Sequence, residues 1–235
     1  MADKKRPPLP KFNTPVGIGR YPHLNSPDTR FDDEGVYKCD LLLPVEADDT
    51  QELITYLEGI RDERYKAEKA DAKKGKKFSK AAVFELELDD AGDETGNLIL
   101  KTKLNAIGRN KAKDEEWTNE PRLFDSNGNP IPSETQIWSG SKLIIAGTVN
   151  SYAMTNTVIV EKKGKQTKKK ITSVGVSLKC KGVQVIELVT GGEATAESFG
   201  FGAHSDGYQT EAAEAGLKSG ETAAGEDDEG DEDEF

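Results

Sequence analysis

Apolar and polar residues alternate along VYKCDLLLPV (36–45), setting Tyr37, Cys39, Leu41 and Leu43 on one face and Lys38 and Asp40 on the other. This period of two predicts a half-buried strand ended by Pro44. The period then lengthens: Leu53, Leu57 and Ile60 recur at helical spacing after Asp49 and Glu52, which stand three residues apart as in a capping box, and the pattern dissolves into lysines by 73–77. Alternation returns at Phe84, Leu86 and Leu88, and after a DDAGDETGN turn (89–97) Leu98, Leu100, Thr102 and Leu104 alternate with Ile99, Lys101 and Lys103, which predicts a hairpin. A polar stretch holding Trp117, the turn SNGNP (126–130) and Trp138 leads to a second long strand at 141–154. A third is expected at 172–188, where Val174, Val176, Leu178 and Cys180 alternate until Gly182 breaks the phase, as at a bulge. Strongly bent strands with a single helix among them predict a mainly β fold with one inserted α-helix, a five-stranded barrel of the OB type, within residues 1–192.

Beyond Val189 the pattern stops. Residues 193–235 hold 14 acidic residues and one base, Lys218, whereas 1–192 hold 31 basic and 29 acidic residues. The net charge of -11 therefore belongs to a tail and not to the body. Its last ten residues, EDDEGDEDEF, carry eight acids and end on Phe235, a composition that cannot offset its ordering entropy and predicts disorder. At the other end, MADKKRPPLPK reads as a basic, proline-rich, solvated arm.

The chemistry on offer is narrow. Cys39 and Cys180 lie in apolar runs and read as small buried hydrophobes, and with His23 and His204 as the only histidines no metal-ligand spacing exists, so neither a metal nor a cofactor is expected. The glycine-rich VGIGRY (16–21) and FGFGAH (199–204) lack the strand-turn-helix setting of a dinucleotide site, and no nucleophile elbow, P-loop or catalytic constellation is present. An enzyme is the poorer hypothesis. No apolar run approaches a bilayer span, so a soluble protein making no membrane contact is expected.

The body does contain what a binder of single-stranded nucleic acid needs: cations to replace phosphate counterions and aromatic faces for bases. Lys101 and Lys103 share one strand face, Lys179 and Lys181 another. The segment 162–170 holds Lys162, Lys163, Lys165, Lys168, Lys169 and Lys170 and reads as a basic loop between two strands. Candidate stacking residues are Tyr21, beside Arg20, and Tyr152 near a strand end. The acidic tail, with Asp231, Glu232, Asp233, Glu234 and Phe235 at its tip, is expected to compete with DNA for the same groove, since from Gly202 onward a coil reaches roughly 30 Å. Two rivals remain: a general binder of duplex and single strands, and an acidic chaperone or DNA mimic in which the body is a scaffold.

GVYKCDLLLP (35–44), the helix after it, GSKLIIAG (140–147), SLKCKGVQVIELV (177–189) and the acidic terminus DEDEF together resemble the phage single-stranded DNA-binding proteins of the short-tailed coliphage type. The resemblance implies an OB-fold with an extra helix and roles in viral DNA replication, recombination and repair. It also implies a tail whose terminal Phe occupies the groove until DNA displaces it and then contacts the replicative polymerase and the helicase-primase. It supports Lys101, Lys103, Lys142 and Tyr152 as DNA contacts, with Tyr21 a looser match, and places the protein in the cytoplasm of the infected bacterial host, with a homodimer as an allowed assembly. Glu34, where a basic residue is expected, and Met154, where a second aromatic is expected, depart from the pattern.

Overall fold

A computed structural model of the chain describes residues 8–73, 75–110, 113–132, 134–162 and 165–189, and side chains at 158–168 are excepted. These residues form strands β1 (Lys11–Asn13), β2 (Gly17–Asp28) and β3 (Val36–Pro44), helix α1 (Asp48–Ala70), then β4 (Lys77–Lys80), β5 (Glu85–Leu88), β6 (Glu94–Asn105), β7 (Ile107–Asn110), β8 (Glu115–Thr118), β9 (Arg122–Phe124), β10 (Lys142–Lys162) and β11 (Lys165–Glu187). The acidic tail 193–235 and its tip residues lie outside the described residues, as do residues 1–7 of the basic arm.

Five of the strands pair in a closed circuit. β2 pairs antiparallel with β3, β3 with β6, and β10 with both β11 and β2, while β6 meets β11 in parallel at Thr102 and Leu178. Alternation explains what the circuit encloses: Cys39, Leu41 and Leu43 of β3, Leu98 and Leu100 of β6, Leu143, Ile145 and Val149 of β10, and Leu178, Cys180, Val183 and Val185 of β11 form one buried core. The fold is mainly β with one helix, as expected, with the helix between the second and third strands of the circuit. In β11 the inward phase moves from Cys180 to Val183 because Ala146 faces Gly182 while Gly147 faces Cys180, leaving Lys181 as the extra residue of a bulge.

Helix α1 buries Leu53, Ile54 and Leu57 against this core. The expected capping box does not form. The N-cap is Ala47, with no side-chain cap, and Asp49 instead accepts from the Thr50 amide at 2.8 Å within the first turn. Other expectations also shift. Lys11 is no part of a free arm: it opens β1 opposite Thr148, beside the buried Phe12. In β5 the alternation does not mark a buried face, since Leu86 and Leu88 are exposed while Glu87 is half-buried by hydrogen bonds. The basic segment is no simple loop; β10 and β11 continue past the barrel as one ribbon, with Thr157 opposite Lys170, Val158 opposite Lys169 and Lys162 opposite Lys165. Among the described residues no helix is long and apolar enough to cross a membrane.

Both cysteines are free, and burial pushes each thiol up to about 12. A thiol raised so far is almost wholly protonated at neutral pH and a poor nucleophile. Neither cysteine is therefore expected to react with a thiol-disulfide exchange reagent in the folded protein, and both should titrate in denaturant; prompt labelling without denaturant would show that the core opens.

Candidate nucleic-acid interface

The outward residues of β2, β3, β6 and β11 build one face. Cross-strand register sets Arg20 opposite Asp40 and Asp40 opposite Lys101, and in the next row His23 opposite Lys38 and Lys38 opposite Lys103. The parallel match of Thr102 with Leu178 brings Lys179 alongside Lys103. Four strands thus present two cross-strand rows of polar side chains, with Lys179 and Lys181 exposed along the β11 margin.

Two grooves flank the rows. The first, of about 680 Å³, is lined by Lys101, Lys103, Tyr152, Met154, Val176 and Ser177 among others. Tyr152 lies in it because its cross-strand partner is Gly175, where a Cβ would come within 2.5 Å of the phenol oxygen. A residue with any side chain at 175 would expel the ring. The second groove, of about 610 Å³, is lined by Tyr21, His23, Arg30, Lys38, Asp40 and Trp138 among others.

Three cations on this face already hold a carboxylate. Lys101 meets Glu85 at 2.6 Å, Arg20 meets Glu87 at 2.8 Å, and Lys38 meets Asp28 at 2.6 Å. Hydrogen bonds from Asn97, then Thr95, hold the Glu87 carboxyl below its usual range, and those from Arg30, then Lys38, hold Asp28 far below. Burial raises Asp40. Lys103 makes no ion pair among the described residues, which leaves its ammonium open to an incoming phosphate.

The structure brings together Arg20, Tyr21, Lys101, Lys103, Tyr152 and Lys179 of the residues singled out from the sequence. Lys181 extends the margin and donates to Asn119 at 3.4 Å. Lys142 lies elsewhere: it opens β10, ten residues before Tyr152 and roughly 33 Å along an extended strand, and pairs with Glu187 at 2.6 Å. Lys169 is half-buried and Lys170 exposed on the ribbon. Lys162, Lys165 and Lys168 have described backbone only, and Lys163 lies outside the described residues. Glu34, read as a departure at a basic position, pairs with Arg109. Sequence reasoning passed over Lys38, although it alternates outward in a strand already identified, and Trp138, whose setting no local pattern reveals. Among the described residues no cluster of His, Cys, Asp and Glu could hold a metal ion.

Among solved structures the chain is similar to gp2.5, a single-stranded DNA binding protein encoded by bacteriophage T7, at 22% identity and a TM-score of 0.58, over 79% of this chain and 97% of that one. It also aligns with a single-stranded DNA-binding protein from bacteriophage Enc34 in complex with ssDNA, at 14% identity and a TM-score of 0.40, over 77% of this chain and 88% of that one. A search of curated proteins gave no match. The model of the bacteriophage T7 single-stranded DNA-binding protein family matches residues 17–188, the whole closed circuit of strands and the helix within it, and the chain belongs to that family.

Proposed function

We propose that this protein binds single-stranded DNA across the outer face of β2, β3, β6 and β11, and acts in viral DNA replication as a binding protein and not as an enzyme. The observation that carries the reading is the meeting of Lys101, Lys103 and Tyr152 in one groove, in a chain of this family. Lysines replace phosphate counterions, which gives affinity without sequence preference, and an aromatic face accepts any base. Arg20, Tyr21, Lys179 and Lys181 widen the same face, and the lysines of 162–170 extend it along the ribbon. Lys142 contributes only if the strand continues to the start of β10.

The tail has a separate part in this reading. Residues 193–235 are a polyanion tethered to a cationic face, so tail and DNA compete for it. While DNA holds the face, the tail is free to recruit the replicative polymerase and helicase-primase through Asp231 to Phe235. If the tail covers the face nine-tenths of the time, the apparent dissociation constant rises roughly tenfold.

Three measurements test these points. Log-log salt titrations with a short oligo-dT should lose ~0.7 of slope for each phosphate contact removed. Lys103→Ala is expected to give that loss in full. Lys101→Ala should give less, because Glu85 already neutralises part of the Lys101 charge in the intact protein; equal slopes for both variants and the intact protein would take the two lysines off the DNA path. Tyr152→Ala should weaken binding by about 1–3 kcal/mol if a base stacks there, and a lower Tm at unchanged affinity would make the ring structural. Deleting residues 221–235 should tighten binding, most at low salt where groove and tail attract each other best; unchanged affinity from low to high salt would end the competition mechanism.

A further inference from the structure

Tyr21 has a backbone conformation that its residue type resists. Its φ is +47°, in the left-handed region that an L-residue with a bulky side chain rarely adopts, and it precedes Pro22, which restricts it further. The cause is a bulge: Arg20 faces Asp40 and His23 faces Lys38, so two residues of β2 sit between pairs that span one residue of β3. The outcome of this distortion is a tyrosine ring 62% exposed, which buries little that could offset the strain.

The segment facing it is fastened in place. Gly140 donates to the Gly19 carbonyl at 2.9 Å, Gly19 to the Ser141 carbonyl at 2.8 Å, and the Tyr21 amide to Ser139 Oγ at 3.0 Å. Farther along, Asn25 Nδ2 donates to the Thr135 carbonyl at 2.7 Å, and Ile137 is buried in the core. Trp138 stands between these anchors, 50% exposed, and lines the same groove as Tyr21. The contrast with Trp117 is informative. That indole lies on Gly108, where a Cβ would come within 2.3 Å of it, and its N–H donates to Asn119 at 3.1 Å. Trp138 has no such hydrogen bond among the described residues.

Charge decides what this groove accepts. Arg30 and Lys38 line it and are both bound to Asp28, Asp40 is a further lining carboxyl, and Arg20, whose guanidinium lies 5.3 Å from the centroid of the Tyr21 ring, is bound to Glu87. Positive and negative groups are balanced, so the groove offers aromatic faces without a surplus of cations. We propose that Tyr21 and Trp138 form a clamp for one unpaired nucleobase, binding by stacking, while the flanking phosphates are neutralised on the rows that carry Lys101 and Lys103. The clamp rests on the single-strand reading above and assigns it a second base site, on the opposite side of the β2–β3–β6 face from Tyr152.

The chain has two tryptophans, so a full-length Trp117→Phe protein reports on Trp138 alone. Binding of a fluorescently labelled oligo-dT is followed by anisotropy and, with unlabelled oligo-dT, by tryptophan emission. The clamp predicts strong quenching of Trp138 at saturation. It further predicts that Trp138→Ala and Tyr21→Gly each weaken binding by roughly five- to 150-fold, as a vertical displacement of the log-log salt plot with its slope retained. Glycine accepts a φ of +47° without strain, so Tyr21→Gly should keep or raise the Tm while losing affinity, a combination that misfolding cannot produce. Normal anisotropy binding with unquenched Trp138 and intact-protein affinity in both variants overturns the clamp and leaves the single-strand reading standing. A changed salt slope in either variant overturns it as well, because the groove would then hold a phosphate. No anisotropy rise at all overturns the reading and the clamp together.

Discussion

The antiparallel ladder between β10 and β11 is the interaction on which the remaining structure depends. It runs from Lys142 opposite Glu187 to Lys162 opposite Lys165, and of the other three strands of the circuit only β3 is not paired directly with one of its two strands. β2 and β1 pair with β10, while β4, β6 and β9 pair with β11. The ladder also supplies two of the proposed DNA contacts, Tyr152 and Lys179, and its bulge at Lys181 lets one strand line the core with both Cys180 and Val183. One continuous ribbon therefore does two jobs, closing the barrel over half its length and extending a basic arm over the rest.

Three cations of the outer face, Arg20, Lys38 and Lys101, do not point into solvent unopposed. The exposed Lys101–Glu85 pair is of a kind worth only about 0–1 kcal/mol, so in the proposed binding mode a phosphate can take the place of Glu85 at small cost. In the proposed binding mode the effect of these ion pairs is on selectivity. A face whose positive charges are partly answered from within attracts polyanions in general less strongly, and the share of affinity carried by aromatic stacking rises. Duplex DNA, with its bases already stacked inside the helix, gains the least from such an arrangement.

Much of this architecture was legible in the sequence wherever burial is one-sided and the period of two survives: Tyr37 to Leu43, Leu98 to Leu104 and Val174 to Cys180 all face inward as their alternation implies. β2 was not, for a physical reason. Pro22 and Pro27 lie within it and two irregularities interrupt its pairing with β3, so no phase persists long enough to be read. The lysine groove was partly legible, since Lys101, Lys103 and Tyr152 each carry their chemistry in their residue type. Their ion-pair partners were hidden in the registry between β5 and β6. Trp138 was hidden more deeply: its position depends on hydrogen bonds to β2 across more than a hundred residues of chain.

The closure between β10 and β2 has a consequence for how the chain is made. Gly17 and Ile18 find their partners only at Leu143 and Lys142, so during synthesis the first long strand leaves the ribosome with one edge unpaired until most of the chain has followed. Contacts so distant in sequence carry a loop-closure cost that slows folding, and an open strand edge is where nascent chains associate with one another. The same bulge and prolines that obscure β2 to a reader make that waiting edge a poor template for a second copy, because a ladder built on it would break at Tyr21, lose a donor at Pro22 and lose another at Pro27.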